Sequence, residues 1–150
     1  MENIPLYFAT AIALAGYVVG LGAVTVIDLH GFLGRTSQYW TEATVRTHKV
    51  TKPLIWLGLF LVLIGTGLYF WLTEMTALSQ LYFAIMAILF VNGLFLTFYV
   101  SPYLLRQEKA GEAGKLLPLA LQIKITISFL ISFSGWWGSF LLLVYFLHTG

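Results

Sequence analysis

The run PLIWLGLFLVLIGTGLYFWL, residues 53–72, decides the fold class. It carries no charge, and its length matches the roughly 20 residues a helix needs to cross a hydrocarbon core of about 30 Å. Pro53 heads it, where a missing N–H falls among the donors that a first helical turn leaves unpaired anyway. Three further runs outward from it read the same way: 4–29 before it, 78–105 and 116–147 after it. The last two exceed the minimum length, so tilted or projecting helices are expected. Pro118 opens the fourth run as Pro53 opens the second, and Pro102 is placed to kink the end of the third. The expected fold is an all-α integral membrane four-helix bundle, a single transmembrane domain over 1–150.

Composition agrees. Charged residues make up 9% of the 150 and hydrophobic ones 59%, against about 25% and 45–50% in soluble domains. Mean hydropathy is +0.88. Net charge is only +2, and no basic cluster with interleaved aromatics occurs, so nucleic acid is not an expected partner; the lipid bilayer is. The chain has no cysteine, which excludes disulfides, thiolate metal sites and Cys-linked haem. The only early charge, Glu2, has the wrong sign for a secretory signal peptide, so the first helix is expected to be retained.

Charge also sets an expected direction. Arg35, Arg46, Lys49 and Lys52 fall in the first connection, 30–52, and Arg106, Lys109 and Lys115 in the third, 106–115. Lys124 lies just inside the fourth span, and the second connection offers only Glu74. Positive charge stays on the cytoplasmic side, so both chain ends are expected outside, in a plasma membrane of the bacterial inner-membrane kind. Tyr7, Phe8, Tyr69 to Trp71, Tyr82, Phe83, Tyr145 and Phe146 would form an outer aromatic belt, and Tyr39, Trp40, Trp56, Tyr99 and Tyr103 an inner one. The stretch 39–50 mixes apolar and charged residues and reads as an interfacial helix or as an extension of the second span.

Helices in lipid associate through small residues and buried polar groups. Gly16 and Gly20 in the first span, Gly58 and Gly65 in the second, and Ser128, Ser132 and Gly135 in the fourth mark the expected seams. Asn92, in mid-span, needs a partner on another helix. Asp28 and Lys124 lie at similar depth, and Lys124 shares a small-residue face with Ser128, so an inward-facing ion pair is one reading and lysine snorkelling the other. Gln122 is close enough to join the same region. His30, His48, Asp28 and Glu42 are the candidate ligands for a divalent metal or a haem on that side. Asp28 and His30 are two apart, however, and a regular helix points them away from each other. His148 lies at the opposite surface.

The order of these features resembles a broad set of small bacterial membrane proteins that includes the HemJ-type protoporphyrinogen oxidases and CopD-like copper-resistance proteins. The likeness is one of layout over about 16–124. A glycine-rich first span leads to a loop with Arg and His, Lys49 to Pro53 opens the next span, Gly65-Thr66-Gly67-Leu68 closes it, and Gln122-Ile123-Lys124 opens the last. The resemblance implies haem or copper. No histidine stands early in any of the four spans and no methionine cluster occurs, so no catalytic residue carries over. The function expected from sequence is a cofactor- or metal-binding membrane protein with its site near the cytoplasmic ends of spans one, two and four. An oligomeric small-molecule or ion translocator, and an accessory subunit of a larger membrane complex, are the alternatives.

Overall fold

A computed structural model describes residues 4–34, 40–112 and 115–149; the side chains of 31, 33, 34, 40–42, 44 and 45 lie outside that description. Five α-helices make up the described chain: α1 Ile4–Gly34, α2 Trp40–Leu72, α3 Ala77–Phe95, α4 Ser101–Lys109 and α5 Leu119–Thr149. A π turn, Leu96–Val100, joins α3 to α4 without a break, so the two act as one rod. Four helical stretches are therefore long and apolar enough to cross a membrane: Ile4–His30, Arg46–Leu72, Ala77–Lys109 and Leu119–Thr149.

The second span extends further than the hydropathy of 53–72 indicates. Helix α2 starts at Trp40, so Pro53 sits in its interior and not in its first turn. The proline removes one N–H from the ladder, and Thr51 and Thr47, just before it, donate their hydroxyls back to the carbonyls of Thr47 and Ala43, each at 3.0 Å. The π turn also has a local cause. Pro102 cannot donate to the carbonyl of Phe98, and the Ser101 N–H reaches back five residues to Leu96. At the short connection between α2 and α3, Thr76 and Ser79 form a reciprocal capping box that fixes the start of α3.

Helix α1 packs along α2 on glycine. A methyl group built on Gly16 would lie 2.6 Å from the Val62 nitrogen and 2.8 Å from the Gly58 carbonyl oxygen, so these two backbones touch with no side chain between them. Helix α5 closes the bundle against α3 and α1. Its Trp136 fills the space beside Gly20 and meets Tyr17 edge-on at 6.0 Å. On the other flank, Lys49 of α2 pairs with Glu108 of α4 at 3.0 Å, an exposed bridge worth little in stability. The core is apolar and aromatic, built around Ala13, Tyr17, Val62, Tyr82, Met86, Trp136 and Leu143.

Apolar residues also cover the outside. Val18, Val91 and Phe98 stand in mid-helix at 77%, 64% and 74% exposure. Water would not tolerate that surface, and a lipid bilayer suits it. The aromatic belts divide differently from the expectation. Tyr7, Phe8, Trp71 and Tyr145 are exposed near the end that carries both termini, but Tyr69, Phe70, Tyr82 and Phe146 are core residues. In an apolar helix a tyrosine at a boundary and a tyrosine in the core look alike until a hydroxyl partner is known.

Candidate functional site

At the end of the bundle away from the termini, the helices part around a cavity of about 140 Å³. Helix α1 contributes Asp28, α2 contributes His48 and Trp56, α3 contributes Asn92, and α5 contributes Gln122, Ser128, Ser132 and Trp136. The π turn forms part of the wall through Leu96 and Val100, and Thr97 within it accepts a 3.1 Å hydrogen bond from the Trp56 indole. Exposed Lys115 and Leu116, in the connection to α5, mark the open side. Toward mid-bundle the cavity ends at Leu89 and Trp136, beyond which the core is packed.

Most polar groups in this wall are already satisfied. Asn92 donates to the Ser128 carbonyl at 3.1 Å and accepts from the Ser128 hydroxyl at 2.7 Å, a reciprocal tie between α3 and α5. Gln122 donates to the carbonyl of Leu117 at 2.7 Å. Two groups stand apart. One carboxylate oxygen of Asp28 and the Nε2 of His48 are buried and have no hydrogen-bond partner among the described residues. The Ser132 hydroxyl is placed to donate to the Asp28 carboxylate, which leaves its Oδ2 unpaired. Thr25, one turn before Asp28, also has a buried hydroxyl oxygen with no partner among those residues. A buried polar atom without a partner costs about 1–3 kcal/mol, so three such atoms at one end of the fold mark the place where a ligand or ordered water would be held.

The four candidate ligands do not gather. Asp28 and His48 line one cavity, while His30 is exposed at the far end of α1, turned away as its two-residue spacing from Asp28 implies. The Glu42 side chain lies outside the described residues. Among the described residues no three His, Cys, Asp or Glu side chains converge.

Lys124 corrects the ion-pair reading. It is exposed on the outer side of the α3–α5 seam, where its Nζ lies 3.1 Å from the Tyr99 hydroxyl and 4.9 Å from the centre of that ring. The reason is helical drift. Residues four apart turn by about 40° per step, so the row Lys124, Ser128, Ser132 winds from the outer rim, through the seam, to the cavity. Ser132 therefore meets Asp28 and Lys124 does not.

The seam residues fall as follows. Gly16, Gly20, Gly58 and Gly65 lie where α1 meets α2, and Gly135 lies against Leu89. Sequence reading misses Trp56 and Trp136 as cavity walls, and it misses a second polar cluster. The hydroxyls of Tyr17 and Tyr82 share a 2.8 Å hydrogen bond in the core, with Ser139 and Thr66 adjoining. The seven-residue spacing of Ser132 and Ser139, two turns on one face, is the signal that could have found it. Comparison with protein-family models, with curated proteins and with solved structures finds no match to this chain.

Proposed function

We propose that this chain is a multi-pass membrane protein of the cytoplasmic membrane, oriented with both termini outside, that binds a small organic ligand or cofactor in the cavity at its cytoplasmic end. The ligand has an apolar, ring-sized body and a head that donates hydrogen bonds, a protonated amine above all. The observation that carries this reading is a pair of buried side-chain atoms without a partner among the described residues, the acceptor Asp28 Oδ2 and the imidazole Nε2 of His48, in a cavity where Asn92, Ser128 and Gln122 are already paired. Cavity size selects the class. About 140 Å³ is close to a void that holds benzene and well below the 300–1,000 Å³ of a site for a drug-sized molecule. The aromatic walls, Trp56, Phe129 and Trp136, suit a ring and a neighbouring cation.

Among the described residues Asp28 and His48 would give a metal ion two protein ligands of the usual kind, which favours an organic occupant. The packed core beyond Trp136 favours a pocket over a through-path, and so a binder over a translocator.

Thermal unfolding of the purified protein with benzylamine, benzyl alcohol and toluene tests the assignment. Benzylamine should raise the midpoint saturably, by the equivalent of about 2.7 kcal/mol at 100 times its Kd. Toluene should act more weakly. Equal shifts with all three, or none, would overturn the polar-head reading.

Orientation has its own test, made simple by a chain with no native cysteine. A cysteine at Glu74 should react in intact cells with a membrane-impermeant maleimide, and one at Lys109 only after lysis. The opposite pattern would reverse the topology.

A further inference from the structure

Lys124 is the one lysine or arginine within the last span, and the structure gives it an unusual setting. It stands five residues into α5, about 7–8 Å along the helix, on the outside of the bundle. Below it, running away from the connection end, a groove of about 630 Å³ opens between α3 and α5. Its walls are Ala87, Ile88, Val91 and Phe95 from α3 and Ile127 and Ile131 from α5. From Lys124 to Ile131 the groove extends for about 10 Å. On a helix the Cα–Cβ bond tilts toward the N-terminus, so the lysine stem leads back toward the start of α5, where headgroups lie if the helix spans a membrane. The Tyr99 hydroxyl, 3.1 Å from Nζ, adds a second donor at the same level, and its ring stacks on Phe95 at 5.2 Å.

Among the described residues this charge has no acidic partner. Of the four acids whose side chains the structure describes, Asp28 faces the cavity, Glu108 and Glu112 pair with Lys49 and Lys115, and Glu74 belongs to the opposite end. In a second copy of this chain laid into the groove, Asp28 would face that copy's own cavity and Glu108 and Glu112 would already be paired, so none of these would meet Lys124. A lipid whose headgroup carries net negative charge would bring a phosphate oxygen there and lay an acyl chain along the apolar groove below it.

We propose that the groove between α3 and α5 seats one anionic phospholipid, its phosphate on the Lys124 ammonium and the Tyr99 hydroxyl and one acyl chain along Val91 and Ile127. The site rests on the membrane reading above and is separate from the cavity, since Lys124 and Asp28 lie on different faces of the bundle. Lipid in this position would cover the seam that Asn92 and Ser128 tie together and would hold α5 against α3.

Native mass spectrometry of the full chain, extracted in mild detergent and supplied with phosphatidylglycerol or phosphatidylcholine, is the test. One phosphatidylglycerol should be retained, at least tenfold in preference to phosphatidylcholine. Lys124→Gln should abolish that preference, and Val91→Trp should block retention with the lysine still present, each at unchanged helical content. Inorganic phosphate should not compete, because the acyl chain supplies much of the binding. Equal retention of the two lipids, a preference that survives Lys124→Gln, competition by free phosphate, or a dimer seated on the groove would each overturn the proposal. Benzylamine stabilisation reads the cavity and maleimide labelling reads the topology, so failure here is distinguishable from failure of either.

Discussion

Gly58→Leu should abolish the folded bundle, and even Gly58→Ala should cost more than 3 kcal/mol, about the upper end of what overpacking of a core usually costs. A Cβ at position 58 would overlap the backbone Cα and nitrogen of Gly20 and come within 2.8 Å of the Gly16 carbonyl oxygen. What it strikes is main chain, which cannot rotate away as a side-chain tip can. Gly16 faces the same constraint from the other helix, and a methyl at Gly65 would overlap the backbone of Ala13. Relief requires α1 and α2 to separate along much of their length, and with them the most extensive contact in the bundle. Association in lipid depends on such close approach, because burying leucine against leucine gains little over leucine against acyl chain.

Gly22 and Gly67 supply the contrast. A methyl added at either would meet nothing within 4 Å, so replacement by alanine should be neutral or should stabilise by up to about 1 kcal/mol through helix propensity. Thermal unfolding followed by circular dichroism in one detergent separates the two groups. If Gly58→Ala unfolds with Gly67→Ala and the parent chain, the seam is wrongly placed.

The same glycines show what the sequence can convey. Spacing places Gly16, Gly20, Gly58 and Gly65 on seams because helical periodicity is regular enough to put residues four apart on one ridge. It cannot pair one ridge with another, since pairing depends on crossing geometry that no single helix encodes. Lys124 illustrates the cost. Spacing groups it with Ser128 and expected depth groups it with Asp28, but the ridge winds too far in two turns for Lys124 and Asp28 to face each other. Hydropathy locates the four apolar helices and begins the second at Pro53, while the mixed apolar and charged stretch 39–50 leaves an interfacial helix and an extension of that span both open; α2, running from Trp40, is the extension. The tyrosine pair, Tyr17 and Tyr82, stays hidden for a different reason: each sits in an apolar run 65 residues from its partner, and only the partner shows that its hydroxyl is satisfied.

Asp28→Leu should leave the ligand-free protein as stable as its parent or more stable, by about 1–3 kcal/mol, while removing the response to benzylamine. The sign is the informative part. A carboxylate that served packing or an internal ion pair would lose stability on replacement, because a partner would be left unpaired. Asp28 has a hydroxyl donor in Ser132 and, among the described residues, an oxygen with none, in a cavity whose remaining surface is mostly apolar. Leucine removes the cost of holding that oxygen away from water, and it lets Ser132 fall back on a carbonyl one turn earlier, as Thr66 does with Val62 at 2.7 Å. Asp28→Asn keeps the shape and removes the charge, so it should retain the toluene shift and lose most of the benzylamine shift. His48→Ala removes the second unpaired group and should weaken benzylamine in the same direction, by a smaller factor, because a neutral imidazole attracts a cation less than a carboxylate does. All three variants can be compared in one thermal series with and without ligand. A gain in ligand-free stability joined to a loss of binding is the mark of a group retained for its ligand. A fall of more than about 1 kcal/mol in Asp28→Leu, with the benzylamine shift intact, would make Asp28 a packing residue and leave His48 Nε2 to account for the cavity alone.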